Sequence, residues 1–169
     1  VCPKTKVDSK LYEKIDGINV IRFPMPWEGK RSFGIVLEYI WSLLFITIVV
    51  SPLAIIKRFK IIHIANPPDL LIIPCAIPKL ISRAIVIYDQ HDLCPEVWES
   101  KGGREGSFVF KSLRFFEKVT YRYSNFVISP NESYRDVAIY RGLKKREDTF
   151  VVRSAPKLEF GVEKIKSVN

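Results

Sequence analysis

Five short apolar runs set the limits on what this chain can fold into. They cover residues 18–22, 61–65, 84–88, 125–128 and 149–153. The first follows the turn signal Asp16-Gly17. The others end at Asn66-Pro67-Pro68, Asp89, Ser129-Pro130 and Ser154-Ala155-Pro156. The runs are rich in β-branched and aromatic residues and barely alternate in polarity. Strands buried on both faces have that composition, as in a parallel sheet sandwiched by helices.

The segments between the runs read as helices. Segment 107–124 places Val109, Leu113, Phe116, Thr120 and Tyr123 on one face and Lys111, Arg114, Lys118 and Arg122 on the opposite one. That is an amphipathic surface helix with Ser107 placed to cap its start. Asn131 is placed to cap a last helix running through Arg141, and Gly142 suits its C-terminal exit. Segment 69–81 is apolar, but Pro74 and Pro78 are expected to kink or break it. Strand alternating with helix defines an α/β layered domain. The length of 169 residues suits one such domain with a sizeable core, and 47% hydrophobic with 27% charged residues excludes a disordered chain or a small disulfide scaffold.

Segment 39–56 holds 18 residues without a charge, at the threshold for a membrane span, and Lys57, Arg58 and Lys60 follow it. The preferred reading is a helix buried against the sheet, because a span would put the strand at 18–22 across the bilayer from the other strands. An apolar helix beside basic residues can also lie in the interface of an anionic leaflet. The net charge of +9 favours anionic partners. No helix-turn-helix or aromatic-basic stacking motif accompanies it, so nucleic acid is not an expected partner. Three widely spaced cysteines, Cys2, Cys75 and Cys94, lack zinc spacing and read as reduced thiols of a cytoplasmic protein.

In an open parallel sheet, ligands bind beyond the carboxyl ends of the strands. Those positions hold Asn66 and Asp69, then Asp89, Gln90, His91, Asp92 and Glu96, then Ser129, Asn131 and Glu132, and lastly Arg153 and Ser154. Asp69 and Asn131 read first as helix caps, and His63, inside a run, as a core or near-core side chain. His91 stands apart as a loop histidine between Asp89 and Asp92, a candidate for proton or charge handling. No second cluster of His or Cys accompanies Asp89-Gln90-His91-Asp92, so no metal is expected. Walker A, GxGxxG, HExxH and Gly-x-Ser-x-Gly motifs are absent, and Gly102-Gly103 reads as a flexible basic loop.

Three stretches in order, Asn66-Pro67-Pro68-Asp69, Tyr88-Asp89-Gln90-His91-Asp92-Leu93-Cys94-Pro95-Glu96 and Ser129-Pro130-Asn131-Glu132-Ser133-Tyr134, resemble the N-terminal, acceptor-side half of family 4 glycosyltransferases. The likeness runs over nearly the whole chain and is nearest to bacterial members that build surface polysaccharides such as O-antigen. It implies a Rossmann-like three-layer domain with a mostly parallel sheet, one half of a GT-B fold, over residues 1–160, with 161–169 beginning an interdomain linker. It implies retaining transfer from a nucleotide diphosphate sugar to a lipid-linked or glycan acceptor, without a metal or other cofactor, at the inner face of the plasma membrane. His91 matches the family's loop histidine, which hydrogen bonds the transferring sugar. Asp89, Asp92 and Glu96 would shape its loop, and Asn66, Asn131 and Glu132 would line the acceptor side.

The chain departs from the family pattern at its ends. The first strand and Gly-rich loop would precede Val1, and Val1-Cys2-Pro3 resembles the end of a second strand. The nucleotide-binding domain would follow Asn169, so this chain alone is expected to be inactive. Two other readings remain: a non-catalytic module that binds glycan or lipid-linked acceptors, and a small membrane-associated protein built around segment 39–56.

Overall fold

The computed structural model describes residues 1–5, 10–26 and 32–153 of the chain. It is an α/β domain built on a four-stranded, all-parallel sheet flanked by helices, consistent with a Rossmann-like three-layer domain. The strands of that sheet are β4 (Ile61–Ala65), β5 (Ile85–Asp89), β6 (Phe126–Ser129) and β7 (Thr149–Val151), adjacent in that order. Four of the five apolar runs therefore lie side by side.

The fifth does not. Residues 18–22 fall in β3 (Ile18–Phe23), which belongs to a separate three-stranded sheet. There β3 pairs antiparallel with β2 (Tyr12–Ile15) through the Asp16-Gly17 turn, and parallel with β1 (Cys2–Pro3). Both turn residues have positive φ, as a tight hairpin requires. The polar strand β2 carries no apolar run, so composition alone hid the partner that draws β3 away.

The helices are α1 (Ser32–Lys57), α2 (Ile72–Ser82), α3 (Cys94–Ser100), α4 (Phe108–Tyr123) and α5 (Glu132–Tyr140). Consecutive parallel strands joined by right-handed crossovers carry their connecting helices on one face of the sheet. Accordingly α2 lies against β4 and β5, α4 against β5, and α5 against β6 and β7. The core fills that interface with Ile64, Ile72, Cys75, Val86, Tyr88, Tyr121, Val127 and Ala138. Alternate strand residues point the other way, and Ile87, Phe126, Ile128, Phe150 and Val152 line an open apolar groove there. The runs barely alternate because both faces are apolar, although the described residues cover only one.

Three helix expectations change in detail. A 3-10 turn over Asp69–Leu71 leads into α2, which continues through Pro78. Pro74 sits in the first turn of α2, where its missing N–H costs nothing, and Pro78 forfeits only one bond; both rings are buried. In α4 the buried positions are Glu117, Thr120 and Tyr121, so the inner face is rotated from the expected stripe and Val109 is exposed. A charged residue, Glu117, sits at its centre because Arg141 meets it there. At the exit of α5 it is Leu143, not Gly142, that adopts positive φ. Gly142 is needed for space: a Cβ there would lie 2.5 Å from the Tyr121 ring.

The largest correction concerns segment 39–56. It is helical within α1, but it is not buried against the sheet. Only 6% of its apolar window is buried, and Ile40, Leu44, Ile48, Ile55 and Ile56 are exposed. The helix packs along α2 and touches β3 through stacked Phe23 and Phe45 rings, 5.7 Å apart.

Candidate functional site at the carboxyl edge of the sheet

The parallel register of β4 and β5 pairs His63 with Ile87 and Ala65 with Asp89. His63 and Asp89 therefore emerge on the same, open face of the sheet. The His63 Nε2 lies 3.2 Å from Asp89 Oδ2, and His91 Nε2 lies 3.3 Å from the same oxygen. Both imidazoles are more than half exposed, while the carboxylate between them is largely covered. One carboxylate oxygen thus faces two imidazoles at the end of the strands. His63 is not the core side chain expected of a residue inside a strand. Strand alternation carried the missing signal, since residues 63 and 65, and 87 and 89, must share a face once the register is known.

Asn66 sets the loop that carries His91. Its Oδ1 accepts from the backbone N–H groups of His91 at 2.7 Å and Asp92 at 3.1 Å. Its Nδ2 donates to the Asp92 carbonyl at 2.6 Å and to Asp69 Oδ1 at 3.0 Å. The residue is 4% exposed, and both ends of its amide are engaged within the protein. One buried side chain therefore ties the end of β4 to the loop after β5. The Gln90 backbone N–H anchors the same loop on the Ile128 carbonyl of β6.

Beneath the edge lies a polar core. Asp69 is not a helix cap: its carboxylate accepts from Tyr88 Oη at 2.5 Å and from Asn66, and its carbonyl accepts from Thr120 Oγ1 at 2.9 Å. Burial raises the Asp69 pKa, opposed by the hydrogen bonds from Tyr88 and Asn66. Gln90, 1% exposed, donates to Tyr121 Oη and accepts from Ser129 Oγ. Burial pushes the thiols of Cys75 and Cys94 up to about 12, with Asp69 adding to the effect at Cys94. Burial thus disfavours the thiolate form at both positions.

A second charged group joins three helices. Arg141 donates to both oxygens of Glu96 on α3 and to Oε1 of Glu117 on α4. Burial raises the Glu117 pKa to about 7 against the attraction of Arg141. Glu96 is also pushed upward by burial, but its hydrogen bond from Arg141 overcomes this and holds its carboxyl below the usual value.

The sequence candidates thus separate into groups. Asp89 and His91 come together, joined by His63, and Asn66 and Asp92 hold their loop through amide and backbone. Glu96 faces Arg141 rather than the histidines. Asn131 caps α5, its Oδ1 accepting from the Tyr134 N–H at 2.9 Å, and the neighbouring Glu132 pairs with Arg135. Arg153 is exposed, and Ser154 with the expected linker 161–169 lies outside the described residues. Among the described residues no group of three or more His, Cys, Asp or Glu side chains is arranged to hold a metal ion. Two imidazoles around a carboxylate, open to solvent, form an arrangement able to hydrogen bond a polyhydroxylated or anionic ligand.

No protein-family model matches the chain, and no curated protein matches it.

Proposed function

We propose that this chain is the acceptor-side half of a retaining glycosyltransferase that moves a sugar from a nucleotide diphosphate sugar to a lipid-linked or glycan acceptor in surface polysaccharide synthesis. The observation that carries the reading is His91 beside Asp89 at the carboxyl edge of a parallel sheet, where an α/β domain binds its ligands. The resemblance of the three loop stretches supports it. In the reaction, the bond from the anomeric carbon to the diphosphate oxygen breaks. A bond to the acceptor oxygen forms on the same face, and the acceptor proton leaves with the diphosphate. His91 hydrogen bonds the transferring sugar and stabilises charge as the old bond breaks. Asp89 orients the imidazole, and Asn66 fixes the loop.

The donor nucleotide would bind a second domain encoded beyond Asn169. The test begins with the DNA that follows. An open frame into a second α/β domain with a Glu-x7-Glu pattern supports the reading, and a frame that closes without one overturns it. In the two-domain enzyme, His91→Ala lowers kcat about a hundredfold, the scale for a lost charge-stabilising donor, with the fold intact by circular dichroism. Unchanged turnover would remove His91 from the reaction.

A further inference from the structure

Two adjoining helices expose apolar stripes. On α1, Leu37, Ile40, Leu44, Ile48 and Ile55 are exposed at spacings of three, four and seven, so they share one face. On α2, Ile73, Ile77, Leu80 and Ile81 do the same, with Leu80 77% exposed. The helices pack along each other, and their C-terminal ends abut where Ser82 Oγ donates to the Ala54 carbonyl at 3.1 Å. Basic residues gather beyond that junction: Lys57 ends α1, Arg58 follows it, Lys60 precedes β4, and Arg83 follows α2. All four are exposed, and none forms an ion pair among the described residues.

We propose that α1 and α2 together form a monotopic docking surface for an anionic lipid leaflet. The stripes enter the boundary between headgroups and acyl chains, and Lys57, Arg58, Lys60 and Arg83 meet lipid phosphates. The unpaired cations argue for lipid as the occupant, because a second copy of this chain would bring the same positive charge to the contact.

By length and hydropathy α1 could cross a bilayer, but its contacts exclude that arrangement. Trp41 Nε1 donates to the Pro24 carbonyl at 2.9 Å, and Phe45 stacks on Phe23 of β3. Ala54, near the other end, meets Ser82. These contacts lie roughly 20 Å apart along the helix at 1.5 Å per residue. Strand and loop backbone along that length would have to enter hydrocarbon with the helix, where irregular backbone exposed to lipid is not tolerated. The helix lies along the leaflet instead. The surface rests on the helices alone and stands whichever reaction the site serves.

Cosedimentation of the full chain with phosphatidylcholine vesicles, with and without one quarter phosphatidylglycerol, tests the proposal. Binding at least about tenfold stronger to the anionic vesicles is expected, because each basic residue near such a surface adds to affinity. Replacing Lys57, Arg58, Lys60 and Arg83 by Gln removes that preference, and the pair Ile48→Asn and Leu80→Asn removes binding while leaving the far-UV spectrum unchanged. Alkaline carbonate releases the bound protein. Equal binding to both vesicles, retention after carbonate, or no binding by the folded chain would overturn the proposal. A soluble dimer that Ile48→Asn and Leu80→Asn convert to monomer would also overturn it, by making a second copy the occupant.

Discussion

Asn66 is the residue on which the candidate site most depends. Replacing it with Ala leaves the His91 and Asp92 N–H groups and the Asp92 carbonyl without their partner. An unsatisfied buried group costs about 1–3 kcal/mol, so Asn66→Ala is expected to lower stability by roughly that amount or more in urea unfolding. Glu117 carries a different prediction. Its folded pKa, about 7, lies above the ordinary value of 4.5. The folded state therefore binds more protons between those values, and this contribution to stability falls as pH rises through the window. Thermal unfolding at intervals from pH 5 to 8 checks it: Glu117→Gln flattens the slope. The sequence pointed to Asn66 but not to its role, and it did not mark Glu117 at all. Asn66 read as a ligand contact because it follows a strand, and its use as an internal tie depends on a loop 25 residues away. Glu117 gives no local signal because its partner, Arg141, lies beyond the next strand.

Elements were more legible where short-range chemistry decides them. Ser107 caps α4 as its position suggested, its Oγ accepting from the Phe110 N–H at 3.2 Å. Ser107→Ala is expected to cost about 1 kcal/mol, measured by the same unfolding experiment. Asn131 was legible as a cap for the same reason. The four runs in the parallel sheet announce themselves by composition, whereas β3 joins another sheet through a partner, β2, that composition does not mark. Helix α1 shows the limit most plainly. A stretch apolar on all sides has no face to identify, so its sequence cannot distinguish burial in a core from contact with lipid. Its packing on α2 and β3 leaves one stripe open, a pattern that only the tertiary contacts reveal.

At the scale of the whole molecule, apolar surface is the dominant theme. The sheet presents one covered face and one open groove in which Phe126 and Phe150 meet edge to face at 6.0 Å. Phe150, already 48% exposed, can accept a charge without entering the core. Phe150→Lys is expected to cost about 1 kcal/mol, the worth of the lost aromatic pair and its burial. It also lowers binding of a fluorescent hydrophobic dye to the folded chain. Dye binding unchanged by the substitution would place the dye on the exposed stripes of α1 and α2 rather than in the groove. The edge of the same sheet concentrates the histidines, so apolar groove and polar site share one side of the molecule. That juxtaposition became visible only through register, because His63 and Asp89 are 26 positions apart in sequence.

The tie made by Asn66 also bears on how long the protein keeps its chemistry intact. Asparagine side chains age to aspartate when the backbone nitrogen of the next residue attacks the amide carbonyl and closes a five-membered imide. The next residue here is Pro67, whose nitrogen carries no hydrogen and sits within its own ring. That route is closed at the one amide whose conversion would put a buried negative charge against the carbonyl of Asp92 and the carboxylate of Asp69. The proline two residues past the strand thus also closes that route of deamidation beneath the loop.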